Sequence, residues 1–144
     1  MHDPAVPASA LEPYRVLDLT TRGWWLCGRL LADLGADVLQ IEPPGGDPDR
    51  AGLEWCFANR GKRSAQLDPD LDDDRATLLR LVEDADVLIE SWGPGGLAAH
   101  GLDPAVLHER NPALVLTSLS PFGLDGPHAR HRGPDLVVAA RSGF

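Results

Sequence analysis

The stretch Leu26–Asp47, LCGRLLADLGADVLQIEPPGGD, restricts the fold more than any other part of this chain. Cys27, Leu30, Leu31 and Leu34 recur at three- and four-residue spacing, which predicts a helix with one apolar stripe. Gly35 follows where a helix takes a left-handed C-terminal residue. Val38, Leu39 and Ile41 form a short apolar run suited to a strand covered on both faces. Pro43-Pro44-Gly45-Gly46 then stops the strand, because proline lacks the ladder donor and glycine loosens the backbone. In open α/β sheets, ligands bind outside the carboxyl ends of the strands. The Pro/Gly loop is therefore a candidate ligand-binding position.

The rest of the chain alternates in the same way. Further strands are predicted at Tyr14–Leu19, Arg63–Leu67, Asp86–Glu90 and Leu114–Ser120. A helix beginning at Trp24 has Thr20 or Thr21 as a candidate cap. Leu71–Glu83 is a second helix, with Leu71, Leu78 and Val82 on its buried face. Asp72, Asp73 and Asp74 in its first turn complement the helix dipole and are not read as a metal site. Gly96–Gly101 reads as one helical turn. Asp103–Arg110 has an Asp cap, Pro104 at the first helical position and an Asn111-Pro112 stop. Pro134–Ser142 starts a last helix, and Asp47–Lys62 is read as irregular. The fold class is α/β, a Rossmann-like parallel sheet with helices on both faces. Met1–Pro13 is read as a flexible tail and 14–144 as one domain, a large-domain fragment of something longer.

Charge and cysteine content narrow the function. A net charge of -9 disfavours a nucleic-acid partner, since an acidic chain repels phosphate backbones. The two cysteines make no disulfide framework, and Cys27 reads as core packing. The histidines show no metal-ligand spacing. Neither a membrane span nor a signal-peptide pattern is visible, so a cytoplasmic location is expected. A dinucleotide site needs G-x-G-x-x-G after the first strand, but that turn reads LDLTTRGWWLCG. There is no P-loop and no G-x-S-x-G elbow. What remains is a set of loops at strand ends, Glu42–Asp47, Ser91–Gly96 and Pro121–Gly133. Arg60, Lys62 and Arg63 add positive charge nearby, either in a groove or on a solvated face.

These loops carry a resemblance. GRLLADLGADVLQIEPPGGDPDR, NRGKRSAQLD, ADVLIESWGPGGL, LDPAVLHERNPALVLTSLSPFGLDGP and GPDLVVAARSG occur in this order from Tyr14 to Gly143. Together they resemble the amino-terminal part of the family III CoA-transferases (CaiB/BaiF-like), which include the α-methylacyl-CoA racemases. The resemblance implies a CoA-binding Rossmann-like domain and an acyl-CoA or CoA ligand. CoA thioester is then the substrate, with no resident cofactor and no metal. It also implies a dimer of interlinked subunits; a hetero-oligomer with a relative is the alternative. Transferases of this family use an aspartate nucleophile that forms an anhydride and then an enzyme thioester. By alignment that aspartate falls beyond Phe144, so no catalytic residue is assigned within the chain. The resemblance assigns CoA binding to Pro43, Leu67, Ser91, Trp92 and Arg132.

Departures from the family pattern are equally specific. Gly23-Trp24-Trp25 replaces an Ala-Gly-Pro turn, Asp70 a common lysine and Ala99 a frequent arginine. Pro134 stands where racemases have histidine, which argues against a racemase; Asp135 reads as a first-turn carboxylate. Two functions follow as expectations. One is a CoA-transferase-like protein whose complete relatives move CoA between carboxylic acids, this chain alone being inactive. The other is a degenerate, non-catalytic subunit or interaction module that pairs with a full-length family member. An unrelated nucleotide-binding α/β protein is a third.

Overall fold

The computed structural model describes residues 9–143. Five strands form one parallel sheet: β1 (Arg15–Leu19), β2 (Asp37–Glu42), β3 (Arg63–Gln66), β4 (Val87–Glu90) and β5 (Val115–Ser118). Their order is β3-β2-β1-β4-β5. The chain winds outward from β1 to β3, then returns through α3 (Asp72–Glu83) to place β4 on the other side of β1. This doubly wound order creates a switch point between the carboxyl ends of β1 and β4.

The period of two along β1 divides the core. Leu17 and Leu19 face a cluster with Leu78 and Val82 of α3, Leu97 of α4 (Gly96–Ala99) and Leu107 of α5 (Pro104–Arg110). Val16 faces the opposite layer, with Val38, Ile89 and residues of α1 (Leu26–Asp33). Helices therefore cover both faces, as expected from the alternation. Punctuation also holds locally. Gly35 ends α1 at a φ of 100°, which an L side chain seldom adopts. Asp103 accepts a hydrogen bond from the Ala105 amide at 3.0 Å. Asn111, the stop residue of α5, donates to the Val82 and Ala85 carbonyls at 3.0 and 2.7 Å, tying α5 to the end of α3.

Several local expectations are corrected. Neither threonine caps α1: Thr20 bonds Asp18 and Thr21 bonds Ser91. The stripe of α1 is only partly inward. Cys27 and Leu31 pack on the core, but Leu30 and Leu34 are half exposed, in line with Leu26. The one fully buried residue of that helix is Gly28. Leu71 precedes α3 and is exposed rather than buried. Asp47–Lys62 is not wholly irregular, since α2 (Leu53–Ala58) forms within it. Residues 1–8 of the supposed tail lie outside the described residues. Within the remainder, Leu11 donates its amide to the Leu34 carbonyl at 3.0 Å and packs against the cluster that holds Val38. The last helix, α6 (Asp135–Ser142), buries no residue.

Candidate functional site

Two cavities open at the switch point. The first, about 260 Å³, is walled by Ile41, Pro43, Leu67 and Trp92. The second, about 600 Å³, is walled by Trp24, Ser91, Trp92 and the Arg130–Arg132 turn. Thr21 and Trp92 line both, so the two adjoin. The five residues singled out in the sequence converge here: Pro43 and Leu67 in the first cavity, Ser91 and Arg132 in the second, Trp92 in both. Another cavity, about 310 Å³, sits at the amino ends of the strands beside Arg15, Asp37 and Arg63. It gathers none of these residues, and Arg63 is already held by both oxygens of Asp37 at 2.8 and 2.7 Å.

Hydrogen bonds fix the junction. Ser91 Oγ accepts from the Thr21 amide at 2.9 Å and lies 3.1 Å from the Thr21 hydroxyl. The Ser91 side chain therefore clasps the two loops of the switch point together. Glu90, buried at the end of β4, accepts from the Trp92 amide at 2.6 Å. The Trp92 ring meets His100 edge-on, with centroids 4.8 Å apart, and His100 Nδ1 pairs with Asp70 at 2.7 Å.

Sequence reasoning missed the network beneath this junction. The sequence suggests a groove cation or a solvated residue at Lys62, but its side chain is 1% exposed and paired with Asp18, which is 0% exposed. Its ammonium donates to Asp18 at 2.7 Å, the Trp25 carbonyl at 2.8 Å, Asn59 at 2.8 Å and Gln40 at 3.1 Å. Burial pushes the Lys62 pKa down, and Asp18 pulls it part of the way back. Burial likewise raises the Cys27 thiol, with Asp18 adding to it. Asp18 also accepts from the Thr20 amide and hydroxyl at 2.9 and 2.6 Å, while Gln40 donates to the Thr20 carbonyl at 3.0 Å. The Thr20–Thr21 corner of both cavities is thus pinned from below. A signal for this did exist: Asp18 and Gln40 interrupt two apolar strands and are register partners. Gly28 belongs to the same feature, because a Cβ there would stand 1.9 Å from Asp18 Oδ2.

The two tryptophans take different places. Trp25 turns inward, 2% exposed, and offers its carbonyl to Lys62, while Trp24 lines the second cavity. Positive charge reaches the site elsewhere. Arg130 and Arg132 line the second cavity, and among the described residues neither is ion-paired. Arg22, also on its wall, is engaged by Glu54 at 2.8 Å, which raises its pKa together with Asp49. Among the described residues no cluster of three or more His, Cys, Asp or Glu is placed to hold a metal ion. None of their helices is long and apolar enough to cross a membrane.

Comparison with known proteins gives the same direction. The family model described as CoA-transferase family III matches residues 11–144. The chain is 40% identical over 150 residues to the probable fatty acyl-CoA transferase Rv3272 of Mycobacterium tuberculosis, covering 96% of this chain and 38% of that protein. It is 39% identical over 152 residues to the succinate–glutarate CoA-transferase of Agrobacterium fabrum, with 93% and 38% covered. The crystal structure of Rv3272 superposes with a TM-score of 0.88 at 41% identity, over 96% of this chain and 39% of that one. A CAIB/BAIF family protein from Brucella suis gives 0.85 at 35% identity, over 94% and 40%. The chain thus spans about two fifths of the length of these relatives.

Proposed function

Because the chain belongs to CoA-transferase family III, we propose that its paired cavities grip a CoA thioester and that the whole protein transfers CoA between carboxylic acids. The observation that carries this reading is the convergence of Pro43, Leu67, Ser91, Trp92 and Arg132 on two adjoining cavities at the switch point. Chemically the arrangement suits such a ligand. The first cavity offers an apolar slot closed by an indole, and the second offers two guanidinium groups for phosphates. The thioester is the substrate in this reading, no resident cofactor is required, and the reaction is placed in the cytoplasm. Covalent transfer needs a positioned nucleophile. No nucleophile is proposed among these 144 residues, which in this reading bind CoA without transferring it. Isothermal titration with CoA and acetyl-CoA tests the grip. Binding at micromolar to millimolar ligand is expected, and no heat at millimolar ligand would count decisively against it. A transfer assay on the same sample, followed by mass spectrometry, is expected to show no acyl exchange.

A second reading is favoured by a separate observation. Leu26, Leu30 and Leu34 leave one edge of α1 about half exposed, and Leu136 of α6 is 82% exposed. Such apolar patches suit a protein partner. In this reading the chain is a non-catalytic subunit that pairs with itself or with a full-length relative. Size-exclusion chromatography with light scattering separates the two: a monomer at all concentrations, alone and mixed with a relative, removes it.

A further inference from the structure

The charges around the two cavities are unevenly divided. Among the described residues no lysine or arginine lines the first cavity, whereas Asp47 and Asp68 do. Asp70 stands at its rim, bound to His100, which lines it. Glu42, also in the wall, is already held by Arg50 at 2.6 and 2.7 Å, so that guanidinium is committed. Asp47 and Asp68 have no ion pair among the described residues. The unpaired arginines, Arg130 and Arg132, lie beyond Trp92 in the second cavity.

A CoA molecule carries an adenine ring, a phosphate on the adjoining ribose, and a diphosphate further along. One direction of binding sets the adenine in the first cavity and the diphosphate in the second. The flat neutral ring fits the apolar slot of Ile41, Pro43, Leu67 and Trp92, where His100 Nε2 is free to bond it because Nδ1 faces Asp70. The diphosphate then passes Thr21 and Trp92 toward Arg130 and Arg132. In that pose the ribose phosphate sits at the acidic rim, where like charge repels it. Resting on the CoA-binding reading above, we infer that the Asp47–Asp68–Asp70 rim makes this site select carriers without the ribose phosphate, of which dephospho-CoA is the simplest. Asp70 is the specificity-determining position, because its carboxylate also fixes the His100 ring that faces the cavity.

The test compares CoA and dephospho-CoA by isothermal titration against the protein at fixed, low salt. Dephospho-CoA is expected to bind at least about fivefold tighter, a ratio that shrinks as salt screens the rim. Asp70→Lys is expected to invert the preference and Asp70→Asn to narrow it. Asp70 is largely exposed, so both variants should fold, which circular dichroism checks. CoA binding as tightly as dephospho-CoA, or tighter, would overturn the inference while leaving the CoA-binding reading intact. An unchanged ratio in both Asp70 variants would overturn it as well. If neither ligand binds, the CoA-binding reading falls and takes this one with it.

Discussion

The two ends of the site are held by opposite means. At the apolar end, Thr20 rests on a buried, fully bonded set: Asp18, Gln40, Asn59 and Lys62, drawn from β1, β2 and the turn before β3. At the basic end, Arg130 and Arg132 sit on a polar loop ahead of a helix that buries nothing. There the contacts are surface ones, such as the His128–His131 pair at 3.3 Å and Arg141 on His128 at 3.1 Å. The comparison teaches that preorganisation is concentrated where a neutral ring is proposed to enter. The charge recognition proposed for Arg130 and Arg132 is left to a segment whose helix buries no residue.

The sharpest way to break this comparison is to remove Lys62. Lys62→Met leaves the Asp18 carboxylate buried without its cation, and breaking a buried pair costs about 3–5 kcal/mol. Urea unfolding is expected to show that loss, whereas Leu136→Ala on α6 should stay within about 0.5 kcal/mol. Equal losses at the two positions would erase the distinction. Gly28→Ala comes next. Its new Cβ would collide with Asp18, so the helix or the ion pair must shift, at about 1–3 kcal/mol. Because Asp18 holds Thr20, the same variant should also weaken CoA binding without touching a ligand-lining residue.

A smaller effect is expected at the basic end, with the signature reversed. Arg130→Ala and Arg132→Ala should each leave unfolding unchanged and raise the Kd for CoA about five- to tenfold, near 1 kcal/mol. If instead they destabilise the fold and spare binding, that loop is structural and the assignment of charge recognition to it fails.

How much of this was readable beforehand follows from the same division. Strands, helix order and loop positions came through because each rests on local periodicity and on Gly or Pro punctuation, as with Gly35 and Asp103-Pro104. Pro43, Leu67, Ser91, Trp92 and Arg132 came from a family resemblance, and the topology explains why they meet: all follow carboxyl ends of parallel strands. Lys62 was misread because burial of a lysine is a tertiary fact. Its neighbours Arg60 and Arg63 suggest a basic surface, and its partner lies 44 positions away. The outward edge of α1 was misread for a related reason. A stripe of leucines shows that a face is apolar, but not which part of it meets the sheet, and Gly28 marks the true line of approach.

The smallest expected effect concerns Lys62 and pH, and it sharpens the comparison at the level of sign. Burial lowers the Lys62 pKa from its ordinary 10.5 more than Asp18 raises it. The folded chain therefore holds that proton less tightly than the unfolded chain does. Between the folded value and 10.5 the unfolded state binds more protons, so the stability due to this group rises with pH through that window. Below the window both states are protonated and the full cost of burying the charge is present. Above it, both are neutral. The stability difference between the parent and Lys62→Met should accordingly grow in the parent's favour as pH climbs toward 10.5, read from urea curves at several alkaline values. A difference that shrinks with pH would mean that attraction to Asp18 outweighs burial, and the network would then be a salt bridge that binds its proton rather than a buried cluster that strains against it.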